Sequence, residues 1–430
     1  MRQRTRFVFS TLAFDLLALL ASLLLASRQV YDVWWPTQAR LLATQNPRPM
    51  LGLLVIGIAL GSVMALRAID PALSRPNYAH PLFTLLIAIG AVAFGSFLLR
   101  TYFSRQFVVL TLALWLVFAF LHRALRRVRP WTESMVVVTD EKELVSDLAE
   151  AQHADVIAVL EPRGEAPTAS LPPDTTLVVD LRAVLGDSMA SFVSSSTLAG
   201  LEVRPFSQVY EEHTGRIPLV HLAEGWEISV PLGRRAFYAP FKRIIEVTLT
   251  IVTAPLWLLL MAGTAIAIRL DSSGPVIFRQ VRAGKDDHPF TIYKFRTMIV
   301  DADKDGPQFT VKDDPRITRL GRFLRSTRLD EVPQLINVLK GDVALVGPRA
   351  EQVAFADQFQ QVIPFYRYRH LVRPGITGWA QVNSGYADNL EETIEKLTYD
   401  LYYVRHMSPW IDLSVLWKSA ATVISGKGAQ

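Results

Sequence analysis

Five long apolar stretches constrain this chain before any other feature does. Phe7–Ala26, Met50–Leu66, Leu82–Leu99 and Phe107–Leu121 fall in the first third, and Ile244–Ile268 stands alone beyond the middle. A spanning helix needs about 20 mainly apolar residues, so the first run is long enough and the next three sit near the lower limit. Backbone polar groups in lipid must be satisfied within the segment, which makes helices the expectation for all five. Of the 430 residues, 50% are hydrophobic, and mean hydropathy is +0.23, high for a soluble protein.

Met1-Arg2-Gln3-Arg4-Thr5-Arg6 precedes the first run without a small-residue cleavage site, so a signal anchor is expected rather than a cleaved signal peptide. Flanking cations orient the four runs. Arg2, Arg4, Arg6, Arg67, Arg75, Arg123, Arg126, Arg127 and Arg129 lie on one side, against Arg28, Arg40, Arg48, Arg100 and Arg105 on the other. The positive-inside rule then puts both ends of a four-helix transmembrane bundle, residues 1–130, in the cytoplasm. Asp15 falls inside the first run with no partner cation evident at its depth, and a bundle-facing structural role is expected.

From Trp131 the composition turns soluble. Ser134–Thr139, Asp155–Glu161, Thr175–Leu181 and Leu201–Phe206 read as strands, with helices over Glu141–Gln152 and Arg182–Ala199. This alternation predicts a small open α/β (Rossmann-like) sheet over 131–230. The turn after its first strand, Thr139-Asp140-Glu141, lacks the glycines that let a backbone approach a pyrophosphate. NAD or nucleotide binding is therefore not expected here. An oligomerisation or sensing module is, with a homo-oligomer as the corresponding partner.

The fifth run reads differently from the first four. Arg234, Arg235, Lys242 and Arg243 precede it, and Arg269, Arg279, Arg282 and Lys285 follow. Two basic ends belong on one side of the membrane. Pro255 removes a helix hydrogen bond where the segment would have to turn back. A re-entrant hairpin over 241–270, bending at Ala254-Pro255, is the expectation; a kinked spanning helix is the alternative.

Candidate chemistry lies beyond the hairpin. In Leu329-Asp330-Glu331-Val332-Pro333-Gln334, the proline is tolerated only near a helix start. That predicts a helix beginning at about Leu329–Glu331 and closing at Lys340-Gly341, with both carboxylates in its first turn. There the dipole and the nearby Arg325 and Arg328 would keep Asp330 ionised. Arginines recur upstream, and Arg349 follows downstream; guanidinium is the group best matched to phosphate oxygens. A solvated basic helix explains Arg316, Arg319 and Arg322 well enough. In Phe290–Met298 the alternation of apolar and polar residues predicts a strand with Lys294 and Arg296 on one face, able to hold a diphosphate.

The motifs Lys294-Phe295-Arg296-Thr297-Met298, Leu329–Gln334, Val346-Gly347-Pro348-Arg349 and Arg373-Pro374-Gly375-Ile376-Thr377-Gly378-Trp379-Ala380-Gln381-Val382-Asn383 occur in that order. The series resembles the bacterial polyprenyl-phosphate hexose-1-phosphate transferase family over roughly residues 235–428, and the preceding layout resembles its long, polytopic branch. The resemblance implies a membrane protein of the α plus α/β class, whose catalytic domain, 231–430, is a monotopic phosphoglycosyl transferase domain with a re-entrant membrane helix. It also implies transfer from a UDP-hexose to polyprenyl (undecaprenyl) phosphate at the bacterial inner membrane, with a cytoplasmic catalytic domain and UMP released. Such transfer initiates exopolysaccharide, capsule or O-antigen units. The implied nucleophile is Asp330, with Glu331 contacting Mg²⁺. Lys294, Arg296, Arg325, Arg349, Arg373 and Asp400 are the implied substrate-binding residues.

Ala350 stands where that family usually has a second proline, and Ser384-Gly385-Tyr386 replaces a more polar stretch. Trp410 and Trp417, seven apart among basic residues, suit the headgroup layer, with a core role as the alternative. The chain has no cysteine, and its eight histidines fall singly, so thiolate sites and His-rich metal centres are not expected. The basic residues flank apolar segments rather than interleave with aromatics in one patch, which argues against nucleic acid as a partner. A membrane-bound nucleotide-sugar dehydratase would need a glycine-rich first turn and a Tyr-x-x-x-Lys pair in its α/β domain, and neither occurs within residues 131–230. Direct transfer in a ternary complex and a non-catalytic assembly scaffold remain the other readings.

Overall fold

The computed structural model describes residues 2–36, 48–67, 79–99, 104–128, 131–168, 171–172, 174–222, 232–300, 302, 314–384 and 389–425. Arg40, Arg75, Arg100 and Arg129, used above for orientation, lie outside the described residues, as do Gly385 and Tyr386. The chain forms two compact units, Met1–Gly215 and Arg216–Gln430. The bundle helices and the strands of the α/β part both fall in the first unit.

Four helices open the chain: α1 (Arg2–Tyr31), α2 (Arg48–Arg67), α3 (Ala79–Leu99) and α4 (Arg105–Val128). Arg6–Tyr31, His80–Leu98 and Arg105–Val128 are long and apolar enough to cross a membrane, and α2 carries a shorter apolar stretch, Pro49–Met64. Leu19, Leu23, Leu54, Ile58, Ala88, Phe107 and Trp115 pack between the helices, while Phe9, Leu17, Ile56, Leu86 and Phe94 face outward. Apolar residues on both faces are the mark of a membrane protein. Helices in lipid associate through close packing of small residues, and Gly57 and Gly61 supply it. A Cβ on Gly57 would lie 2.7 Å from the Ala88 Cα, and one on Gly61 would lie 2.8 Å from the Thr84 Cα.

Asp15 is fully buried in this bundle, and it does have a partner cation. Arg123 donates from Nη1 to Oδ1 and from Nη2 to Oδ2, both at 2.7 Å, and Ser62 Oγ donates at 2.8 Å. The Trp115 indole N–H donates to the Asp15 carbonyl at 3.0 Å. The expectation of an unpaired acid is corrected: Arg123, counted by sequence as a flanking residue, lies inside α4 and reaches Asp15.

The soluble part of this unit is a four-stranded parallel sheet of β1 (Glu133–Val138), β2 (Ala154–Leu160), β3 (Thr176–Val179) and β4 (Glu202–Pro205), in the order β2-β1-β3-β4. Helices α5 (Lys142–Glu150) and α7 (Phe206–Thr214) cover one face, where Met135, Val137, Leu148, Phe206 and Val209 meet. Helix α6 (Asp187–Leu198) covers the other through Met189 and Phe192, against Val136, Val138, Leu177 and Val179.

Glu133, at the start of β1, accepts from Thr176 Oγ1 at 2.8 Å, lies 3.0 Å from His213 Nε2 and pairs with Arg204 at 3.6 Å. Burial opposes its charge, but His213, Thr176 and Arg204 together hold its carboxyl down at about 2. A carboxyl depressed by folding stabilises the fold above its unfolded pKa and loses that contribution as pH falls toward the folded one. The window is therefore about pH 4.5 down to about 2, with about 3 kcal/mol at stake. Hydrogen exchange of the sheet amides should show Glu133→Gln lacking this acid dependence. Identical acid profiles for variant and wild type would contradict it.

The second unit opens with a 3₁₀ turn at Leu219–His221, followed by α8 (Leu232–Val252) and α9 (Ala254–Asp271), separated at Thr253, with Pro255 in the first turn of α9. A two-stranded antiparallel hairpin follows, β5 (Ile277–Ala283) with β6 (Pro289–Phe295). Then come α10 (Arg319–Ser326), a 3₁₀ turn at Leu329–Glu331, α11 (Gln334–Lys340) and β7 (Ala344–Val346). Helix α12 (Val353–Val362), a 3₁₀ segment at Tyr366–Leu371 and β8 (Gly375–Thr377) precede α13 (Trp379–Asn383), α14 (Leu390–His406) and α15 (Pro409–Ser425). Strands β7 and β8 are parallel. Ile268 of α9, Phe295 of β6 and Leu324 of α10 form a small core beneath the 3₁₀ turn.

Candidate active site

The acid pair does not open an α-helix. Thr318 caps α10 by accepting from the Gly321 N–H at 2.9 Å, and Arg328 then takes a left-handed conformation, φ 60°. Asp330 and Glu331 follow in the 3₁₀ turn, and Pro333 is the cap of α11, so helix α11 starts at Gln334. The proline does mark a helix start, but the carboxylates precede it, which corrects the first-turn expectation. Asn337 fixes this segment to β6. Its Nδ2 donates to Thr291 O at 2.7 Å, and its Oδ1 accepts from Tyr293 N at 3.1 Å.

That pairing sets Lys294 against the acids. Glu331 Oε1 accepts from Lys294 Nζ at 3.0 Å and from Arg349 Nη1 and Nη2 at 3.2 Å each. Asp330 is equally buried, but its Oδ1 has no hydrogen-bond partner among the described residues. The two acids therefore differ electrostatically. Burial, then the charge of Glu331, push Asp330 above the usual carboxylate range, against Lys294, Arg349 and Arg325. Burial also opposes the charge on Glu331, but Lys294, Arg349 and Arg328 overcome it and hold that group far below the range. A first proton goes to Asp330. The expected causes are corrected in part: the pair lies outside the α-helix and Arg328 acts on Glu331, while Arg325 does favour the charged form of Asp330.

The remaining sequence candidates divide. Arg325 donates from Nε to Thr297 Oγ1 at 2.9 Å, and its charge reaches Asp330. Arg296 turns the other way. Its Nη1 donates to Ser273 O at 2.8 Å, and its Nη2 donates to Ser272 O and Oγ at 2.9 and 2.8 Å, closing the end of α9. Lys294 and Arg296 do not share a face, because β6 ends at Phe295 and its alternation stops there. Arg373 is half-buried just before β8 and makes no hydrogen bond or ion pair to either acid among the described residues. Asp400, on α14, is buried and paired with Arg369 at 2.7 Å rather than open to a substrate.

Close backbone packing holds the Arg349 loop. A Cβ on Gly375 would lie 2.1 Å from Gly347 N, and one on Gly347 would lie 2.4 Å from Arg373 O, so the motif glycines let β7 and β8 meet. Sequence reasoning missed a buried network behind them. Lys242 Nζ lies 3.0 Å from Glu246 Oε1 and also donates to Asp412 Oδ2. Glu246 Oε1 accepts from Leu345 N at 2.8 Å, and Tyr403 donates to Val346 O at 3.0 Å. The available signal was a Lys242/Glu246 pair, four apart, at the mouth of an apolar run.

No group of three or more acidic, histidine or cysteine residues able to hold a metal occurs among the described residues. A divalent hard cation such as Mg²⁺ needs only one or two carboxylates when waters and substrate phosphates complete its shell. The orphaned Asp330 oxygen beside Glu331 fits that smaller demand.

One acid held by two cations, a second acid with an unbonded buried oxygen and a long apolar helix, Ala254–Asp271, thus lie in the same unit. A family model described as bacterial sugar transferase matches residues 237–426. An exopolysaccharide production protein PSS from Rhizobium leguminosarum is 42% identical over 171 residues, which is 38% of this chain and 86% of the relative. A UDP-N-acetylgalactosamine-undecaprenyl-phosphate N-acetylgalactosaminephosphotransferase from Aeromonas hydrophila is 42% identical over 261 residues, 59% of this chain and 60% of that protein. A UDP-glucose:undecaprenyl-phosphate glucose-1-phosphate transferase from Escherichia coli is 46% identical over 183 residues, covering 41% of this chain and 39% of that one. The match thus spans little more than half of the Aeromonas protein and under half of the E. coli one. The chain belongs to the bacterial sugar transferase family.

Proposed function

We propose that this chain transfers hexose-1-phosphate from a UDP-sugar to polyprenyl (undecaprenyl) phosphate, releasing UMP and initiating a surface-polysaccharide repeat unit. The observation that carries the reading is the asymmetry of the acids: Glu331 is locked by Lys294 and Arg349, while Asp330 keeps a buried, unbonded oxygen. Ionised Asp330 attacks the sugar-linked phosphorus. The bond from that phosphorus to the bridging oxygen breaks, UMP leaves with the electron pair, and an acyl phosphosugar remains on Asp330. An oxygen of the lipid phosphate then attacks the same phosphorus and expels the Asp330 carboxylate. Arg325 and Arg349 neutralise phosphate charge on either side of Asp330. Mg²⁺, held by Glu331 together with donor phosphates, would add charge neutralisation at the diphosphate. The activities named for the Aeromonas and E. coli relatives support both substrates.

The reading places α8 and α9 in the inner leaflet of the bacterial inner membrane as a re-entrant hairpin, with the catalytic residues cytoplasmic. Both ends of the hairpin rest on one body, which supports this. Arg243 donates to Val338 O and Leu339 O at the end of α11, and Ile268 packs on Phe295 and Leu324. Between them Ile251, Val252, Leu256, Leu259 and Ile266 are exposed. Helix α9 alone is about 27 Å long, so a spanning segment would part its ends by a bilayer. Reporter tags after Val128 and after Arg269 should both read cytoplasmic, and a periplasmic signal at the second position would sink the hairpin but leave the chemistry. The function itself is tested by UMP release across a panel of UDP-sugars with polyprenyl phosphate. Release from at least one donor, dependent on the lipid phosphate after the first turnover, is expected. No release from any would overturn it.

A further inference from the structure

The loop carrying Arg349 has its backbone held at every residue. Tyr403 donates to Val346 O at 3.0 Å, Gly347 N donates to Thr377 O at 2.9 Å, and Gly375 N donates to Pro348 O at 2.8 Å. The next carbonyl, that of Arg349 itself, accepts from Arg369 Nη2 at 2.9 Å. Three of these partners are neutral. The last is a buried guanidinium, the one charged partner among the four.

Arg369 has no direct reach to the acids. Its Nε and Nη2 donate to Asp400 Oδ2 at 3.0 and 2.7 Å, and its Nη1 donates to the Tyr366 hydroxyl oxygen at 2.7 Å. Asp400 and Tyr366 together fix the plane of the fork, leaving Nη2 aimed at the Arg349 carbonyl. From that Cα the Arg349 side chain runs to Glu331 Oε1, where both terminal nitrogens sit at 3.2 Å. Arg349 is itself about one-third exposed, and Glu331 meets its terminal nitrogens at the far end of the side chain. We propose that Arg369 and Asp400 are positioning residues: the buried pair orients Arg349, and through it the cation that faces Glu331 and the donor phosphates. This rests on the phosphotransfer reading of the site, and it makes Asp400 a support for Arg349 rather than a substrate contact.

A double-mutant cycle on the full-length protein in detergent separates this role from a structural one. Asp400→Asn keeps the size of the side chain and one accepting oxygen, and removes its charge. With Arg349 present, Asp400→Asn should lower kcat for UMP release and the affinity for UDP about tenfold each. In an Arg349→Ala background the same change should cost less than about twofold. Arg369→Lys, which keeps the charge but loses the fork, should show the same dependence on Arg349. A purely structural pair would lower the folded fraction equally in both backgrounds. Equal losses with and without Arg349, or no loss in its presence, would overturn the proposal. UDP affinity keeps the two readings apart. Arg349-dependent losses of UDP binding in a protein that releases no UMP would sustain the positioning role and sink the phosphotransfer reading. Absence of UDP binding in the wild type would overturn both.

Discussion

Asp330→Asn is expected to lower turnover to lipid-linked sugar by at least about 10³-fold, roughly 4 kcal/mol of barrier, with the protein still folded. The amide keeps the shape of the 3₁₀ turn but cannot form an acyl phosphate. Because Asp330 is buried beside the charge of Glu331, its pKa lies above the usual carboxylate range, and the attacking form is the deprotonated one. The sign follows: kcat/KM should rise with pH through that raised pKa, so its acid limb lies higher than an ordinary aspartate would give. Glu331→Gln should act differently. It strips Lys294 and Arg349 of their shared partner and should lower kcat about 10²-fold while leaving the nucleophile in place. Product formation by Asp330→Asn near the wild-type rate would remove the covalent route and leave direct attack by the lipid phosphate in a ternary complex.

The second large effect lies in the membrane bundle. Asp15→Ala should destabilise it by about 3–5 kcal/mol, because Arg123 would stay buried without its carboxylate. Arg123→Ala should do the same through the stranded acid. Replacing both together, Asp15→Leu with Arg123→Met, should recover most of the loss, since a matched apolar pair carries no unpaid desolvation. Thermal unfolding in detergent, followed by the loss of far-UV helical circular dichroism, measures all four proteins. Either single variant being as stable as wild type would contradict the account of a buried, mutually dependent pair.

How much of this was legible in the sequence follows from which interactions are local. The four strands of the parallel sheet were found to within two residues, because β-rich runs bounded by turn residues carry their own signal. The break in the apolar run falls at Thr253, one residue before the expected Ala254-Pro255, since a proline's helix-breaking effect reaches only its immediate neighbours. Pro333 gave the helix start, but sequence could not show that a left-handed Arg328 makes a separate turn of the acids before it. Arg296 escaped because alternation predicts a face only while the strand lasts. The partners Asp15 with Arg123 and Arg369 with Arg349 lie 108 and 20 positions apart, and no periodic pattern links such residues. Composition alone also cannot price burial, which is why the protonation order of Asp330 and Glu331 came out only from the packed site.

The most direct test uses the donor alone. Wild-type protein incubated with a turnover-competent UDP-sugar and Mg²⁺, without polyprenyl phosphate, should release UMP in a burst approaching one equivalent. Intact-mass measurement should then show one added phosphosugar, mapped by proteolysis to the peptide carrying Asp330 and discharged when the lipid phosphate is added. Asp330→Asn should show neither burst nor adduct. UMP release that requires the lipid phosphate from the first turnover, with no adduct on the protein, would contradict the account.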